Sequence, residues 1–154
     1  MGALVEVLLA EDHAGDTELI LESLAQERFA DRIHVVDNGA DALDFAFCRG
    51  RYAARTADAP PRLIFLDLKL PKLTGLEVLS ALKSDARTRA IPVVMLTSSR
   101  VERDVAMAYR LGVNSFIHKP MDFLSFRETV LQVGRYWLTL NEPPPISASE
   151  GSGP

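Results

Sequence analysis

The sequence predicts a doubly wound α/β fold, five strand-helix units folded as a three-layer sandwich around a mostly parallel sheet. Three observations carry that expectation. Short aliphatic runs recur along the chain, helical patterns with recognisable starts separate them, and polar or charged residues stand where the runs end. Near-continuous apolar runs suit parallel strands covered on both faces. Their alternation with helices demands right-handed crossovers and a helical layer on each side.

The first run is Leu4 to Ala10 (LVEVLLA), which ends in Glu11-Asp12. Ile33 to Val36 is a weaker second run, and Asn38 with Asp41 three residues on marks the helix start that follows it. The third run, Leu63 to Leu66, ends in Asp67 and leads to Thr74 and Glu77, the spacing of a capping box, with Gly75 at the helix entrance. Ile91 to Leu96 ends in Thr97, and Ser99 with Glu102 matches a second capping box. Gly112 closes the helix that holds Met107, Ala108 and Leu111. Ser115 to His118 forms the fifth, weaker run, ending in Lys119-Pro120, and Asp122 caps a last helix that continues through Tyr136, Trp137 and Leu138 to Leu140.

At 154 residues the chain has one domain's worth of sequence, enough to bury about two-thirds of its unfolded surface. With 47% apolar and 25% charged residues it is neither disordered nor fibrous in composition. A net charge of −4 offers no general footprint for nucleic acid or an anionic membrane. No apolar run is long enough to cross a bilayer. The lone Cys48, set beside Phe45, Ala46 and Phe47, has no internal disulfide partner and is expected to be a small buried hydrophobe. A cytoplasmic location is expected.

In a doubly wound sheet the loops at the carboxyl ends of the strands make the ligand crevice. Glu11, Asp12, Asp67, Thr97 and Lys119 therefore converge on one rim: three carboxylates, a hydroxyl and an ammonium. Three carboxylates brought close together call for a neutralising cation, and hard oxygen ligands suit a divalent ion such as Mg²⁺. His13 stands beside the rim, while neither it nor His118 has a partner at metal-ligand spacing.

An acidic pair after strand one, Asp67-x-x-x-Pro71 with the later Gly75, Thr97 ending strand four and Lys119-Pro120 ending strand five together resemble the receiver domain of two-component response regulators. The resemblance spans roughly Leu4 to Leu140. It implies a flavodoxin-like fold with strand order 2-1-3-4-5, with Asp67 as phospho-acceptor. It also implies Mg²⁺ held by Glu11, Asp12, Asp67 and the backbone carbonyl of Lys69, and a phosphoryl group contacted by Thr97 and Lys119. The implied donor is a sensor histidine kinase. Thr97 and Phe116 are the implied switch pair, with Phe116 retaining bulk and lacking a phenolic hydroxyl.

Rival chemistries are weaker. The chain has no GxxxxGK phosphate loop, GxGxxG turn, GxSxG elbow or HExxH helix. A haloacid-dehalogenase-like Mg²⁺-dependent phosphatase is the alternative, but Lys69 occupies the place of its second acid. A flavin site would need a phosphate-binding loop after strand one, and this loop is acidic.

The long connection from Cys48 to Arg62, the segments LDLKLPK and LGVNSFIHKP, and the closing YWL resemble the single-domain regulators partnered with cyanobacterial phytochromes and bacteriophytochromes. A phytochrome-type kinase is the implied partner. Residues 1–140 are expected to form the receiver, and residues 141–154 (NEPPPISASEGSGP) a flexible tail with no output domain. Partner proteins, not nucleic acid or membrane, are then the expected targets. The last helix carries apolar residues around more of its circumference than one core-facing stripe needs. A homodimer through that helix, the fourth helix and the fifth strand is expected.

Overall fold

A computed structural model describes residues 5–26, 32–56 and 59–145. Among these residues the chain alternates strand and helix throughout: β1 (Val7–Ala10), α1 (Ala14–Ala25), β2 (Ile33–Val36), α2 (Gly39–Ala46), β3 (Leu63–Leu66), α3 (Gly75–Lys83), β4 (Val93–Thr97), α4 (Glu102–Arg110), β5 (Ser115–His118) and α5 (Phe123–Arg135). The five strands form one parallel sheet in the order β2-β1-β3-β4-β5. This is the expected doubly wound order, with β1 flanked by β2 and β3.

Alternation along each strand divides the core into two layers. Leu8, Ala10, Ile64, Leu66, Val93 and Met95 face the layer that includes Phe45, Val78, Leu79, Leu82 and Ala108. Val7, Leu9, Leu63, Phe65, Val94 and Leu96 face the layer that includes Ile20, Leu24, Phe126 and Val130. Strands buried on both faces explain why the runs read as continuous aliphatic sequence. The helices follow from their caps as much as from their apolar stripes. The Asn38 side chain accepts from the Asp41 amide, and Thr74 and Glu77 complete a reciprocal capping box. The Asp122 carboxylate accepts from the Ser125 amide.

Several local expectations change. Val5 and Glu6 precede β1, and Leu4 lies outside the described residues. The fourth strand starts at Val93, two residues later than the apolar run. The Ser99-Glu102 capping box does not form. Helix α4 begins at Glu102 with Val101 in the cap position, and the Ser99 hydroxyl donates to Asp104 at 2.9 Å. Glu102 thus falls at the first helical position, where it has no third-residue amide to exchange. The last helix does reach Leu140, but its final turn, Tyr136–Leu140, is π-helical. Cys48 is only half-buried. It takes φ +55° just past the end of α2, with the Arg55 guanidinium 3.4 Å from its sulfur.

The long α2–β3 connection is held by aromatic packing. His34 stacks on Phe45 with ring centroids 4.5 Å apart, and the Tyr52 hydroxyl lies 3.0 Å from His34 Nε2. The Arg55 guanidinium also lies over the Phe45 ring, 3.7 Å from its centre. Of the expected tail, residues 146–154 lie outside the described residues.

Candidate phospho-acceptor and metal site

Sheet register builds the site. Ala10 pairs with both Val36 and Leu66, so Glu11 and Asp67, each the next residue, leave the sheet side by side. The Asp67 amide donates to the Ala10 carbonyl at 3.0 Å, which extends the ladder by one bond and fixes the acid at the rim. Gly75 completes this placement. A Cβ there would stand 2.2 Å from the Asp67 carbonyl oxygen, so only glycine lets α3 start against the back of the site.

Lys119 arrives from the end of β5, its amide bonded to the Thr97 carbonyl at 2.8 Å. Its ammonium donates to Glu11 at 2.8 Å, to Asp16 at 2.8 Å and to Asp67 at 3.3 Å. Glu11, Asp67 and Lys119 are all buried, at 3%, 9% and 7% exposure, whereas Asp12 is exposed. Carboxylate oxygens of Glu11, Asp12 and Asp67 lie within 4.8 Å of one another, close enough to share one metal ion. The donor set is all oxygen and suits a hard divalent cation. Glu11 and Asp67 are buried carboxylates, Asp12 opens the cluster to solvent, and one ammonium neutralises only part of their charge, so these residues fit a bound cation.

The electrostatics reflect that imbalance. Burial pushes the Glu11 carboxyl up to about 7, aided by the negative field of Asp67 and opposed by Lys119. Burial pulls the Lys119 ammonium down, but its bonds to Asp16 and Glu11 and the charge of Asp67 outweigh that and raise it. Lys119 therefore stays a cation, while Glu11 is the carboxyl at which a proton would compete with a bound cation.

Thr97 is buried at the end of β4, and its hydroxyl accepts from the Ser99 amide at 3.2 Å. Across the β4–β5 pair Met95 faces Phe116 and Thr97 faces His118. Phe116 is half-buried against the core layer below α4 and makes an edge contact with His118, ring centres 5.6 Å apart. His118 Nδ1 lies 2.9 Å from the Ser99 carbonyl. Lys69 is exposed on the loop after Asp67 and lines an open groove with Leu68, Leu70, Thr74, Leu76 and Asp104.

The rim thus gathers Glu11, Asp12, Asp67 and Lys119, with Thr97 at the end of the next strand and Phe116 one pleat away on β5. Asp16 is the member that the sequence reading missed. Its signal was the Glu11-Asp12-x-x-x-Asp16 spacing, which puts an acid in the first turn of α1. An acid there is usually explained by the helix dipole. His13 is exposed and caps α1, its Nδ1 accepting from the Asp16 amide at 3.1 Å.

Residues 7–131 match the family model described as response regulator receiver domain. Among curated proteins, the chain is 39% identical to a probable methanogenesis regulatory protein, FilR2, of Methanothrix harundinacea, over 90% of this chain and 86% of that protein. It is 35% identical to the response regulator Rcp1 of Synechocystis, over 86% and 88%. Among solved structures, the phosphorylated cyanobacterial phytochrome response regulator RcpA superposes with TM-score 0.86 at 35% identity, covering 93% of this chain and all of that one. The Mn²⁺-bound form of Rcp1 gives 0.85 at 33%, covering 93% and 100%. The bacteriophytochrome response regulator RtBRR gives 0.71 at 45%, covering 95% and 87%. The phosphatase alternative finds no support in these matches, and position 69 offers an exposed lysine where it needs an acid. By sequence model, relatives and fold alike, the chain belongs to the response regulator receiver domain family and is a two-component signalling switch.

Proposed function

We propose that Asp67 accepts a phosphoryl group from a phosphohistidine of a sensor histidine kinase, in a Mg²⁺-dependent reaction, and that the acyl phosphate signals through protein–protein contacts. One observation carries this reading: the Asp67 carboxylate sits between an ammonium 3.3 Å away and two further carboxylates with which it can share a cation. A carboxylate is a poor nucleophile toward an anionic phosphoryl group, so the surroundings must supply positive charge where the transferring oxygens lie. Mg²⁺ held by Glu11, Asp12, Asp67 and the Lys69 carbonyl would supply part of that charge. Lys119 supplies the rest and aims at the phosphoryl oxygens, with the Thr97 hydroxyl as a second contact. A bond forms between an Asp67 carboxylate oxygen and phosphorus as the bond from phosphorus to the donor imidazole nitrogen breaks. The chain catalyses only this transfer and its own dephosphorylation.

The switch uses the same residues. Thr97 leaves the Ser99 amide for the phosphoryl group, and Phe116 turns into the space released. The Mn²⁺-bound and phosphorylated relatives support both the cation and the modification. RcpA, a phytochrome response regulator, and RtBRR, a bacteriophytochrome one, support a phytochrome-type photoreceptor kinase as donor, with the exchange taking place in the cytoplasm. The methanogenesis-regulator relative favours a kinase with another input as the second reading. The receiver unit extends through Leu140. No helix among the described residues is long and apolar enough to cross a membrane. Exposed Tyr109, Phe123, Leu124 and Tyr136 support a homodimer through α4, β5 and α5.

Incubation with acetyl phosphate and Mg²⁺, followed by intact mass, tests the core of this. One labile phosphate is expected on the wild-type chain and none on Asp67→Asn. Sustained phosphate release from varied substrates would overturn it. Transfer from a panel of phosphorylated kinases, phytochrome-type and other, then identifies the donor by kinetic preference.

A further inference from the structure

Lys119 has three N–H donors and three carboxylate acceptors, and the third acceptor is unlike the others. Glu11 and Asp67 belong to the cation cluster, and Asp67 is the nucleophile. Asp16 is neither. It comes from the first turn of α1, is half-buried, and meets the ammonium at 2.8 Å, as close as Glu11 does. Its own place is fixed by its amide bond to His13 Nδ1.

A partner that serves only the helix dipole would face solvent. Asp16 instead reaches inward across the rim to the tip of a side chain from β5. A lysine carries several rotatable bonds and is ordered only where its head is tied. A cation held by Glu11 and Asp67 would draw part of their charge away from Lys119, and a phosphoryl group on Asp67 would replace its carboxylate oxygen as the acceptor. Asp16 is the acceptor whose role does not change through that cycle.

We propose that Asp16 is a positioning residue for the phosphoryl transfer, a fixed anchor that holds Lys119 over Asp67 while the other two carboxylates exchange partners. This rests on Asp67 being the phospho-acceptor. Asp16 touches neither phosphorus nor the nucleophile and acts through Lys119 alone. Misplacement of a charge by about 1 Å at a reacting centre costs up to about a hundredfold in rate.

The test compares wild type, Asp16→Asn and Asp16→Glu, each also in a Lys119→Met background, using the full chain. Acetyl phosphate labelling is followed by intact mass, Mg²⁺ affinity by calorimetry, and folding by thermal melting. Asp16→Asn is expected to slow labelling about tenfold while weakening Mg²⁺ binding far less and leaving the melt cooperative. Asp16→Glu restores part of the rate. In the Lys119→Met background the Asp16 substitutions have no further effect, because the interaction they remove is already gone. Wild-type or faster labelling of Asp16→Asn overturns the proposal, as does an equal slowing without Lys119 or a parallel loss of Mg²⁺ affinity and folding. Wild type that takes no label on Asp67 withdraws the phospho-acceptor reading together with this one, whereas labelled wild type with an indifferent Asp16 withdraws this one alone.

Discussion

The rim around β1 and β3 and the edge formed by β5 and α4 are built from the same fold but held very differently. Every residue of β1, β3 and β4 is buried, and the side chains that leave those strands are tied by ion pairs and by the ladder itself. No residue of β5 is fully buried, and α4 buries only Ala108. Tyr109, Met121, Phe123 and Leu124 lie exposed nearby. Asp67, the proposed phospho-acceptor, is thus anchored where the structure resists change, and the surface that would report its state is anchored weakly. Regions with few buried contacts open at lower free energy than the core, so a small bias at the rim can reset them.

The sharpest way to break this comparison is a pair of truncations. Leu66→Ala, in fully buried β3, is expected to cost about 3 kcal/mol, whereas Tyr109→Ala on α4 changes stability by less than about 0.5 kcal/mol. Urea unfolding of both measures it, and equal losses would remove the distinction. Asp67→Asn comes next. Relieving one of three clustered carboxylates should raise stability by about 1 kcal/mol in the absence of divalent cations, the usual exchange of activity for stability at a functional site. The same denaturation curves report it, and a loss would mean that Lys119 depends on Asp67 more than the carboxylates repel each other.

A third prediction concerns pH. Because the folded-state Glu11 carboxyl is raised from 4.5 to about 7, the folded protein holds its proton more tightly than the unfolded chain does. Its contribution to stability is complete below pH 4.5 and is lost as pH rises through about 7. Divalent binding needs the carboxylate, so the Mg²⁺-induced rise in melting temperature should grow between pH 6 and 8, with about one proton released per ion at the lower pH and fewer at the higher. Glu11→Gln should flatten that pH dependence. The smallest effect is dynamic. Amides of α4 and β5 should exchange with solvent faster than those of β1 and β3, and phosphorylation should alter the first set more than the second.

Most of the architecture was legible because parallel strands covered on both faces leave an unbroken aliphatic imprint, as in Leu63 to Leu66. The rim was legible because strand ends are points where polar residues need a reason. Asp16 was not, since an acid in a first helical turn already has an ordinary explanation and its reach to Lys119 depends on β5, more than a hundred residues away. The Ser99 cap failed for a similar reason. Asp104 captures a hydroxyl that local spacing alone would assign to Glu102. Cys48 misled because its aromatic neighbours suggested burial, while its left-handed backbone, just past the helix, turns the residue out of the core layer.

The flush pairing of Ala10 with Leu66 has a consequence for how such a chain can change. A residue inserted or deleted inside β1 or β3 would carry Glu11 or Asp67 to the opposite side of the sheet, because successive side chains alternate. Length is therefore frozen along those two strands. The connection from Cys48 to Arg62 enters β3 at the other end of the sheet, where extra residues displace nothing at the rim. A chain of this fold can lengthen there and change the back of the molecule while the spacing that measures out the front is kept.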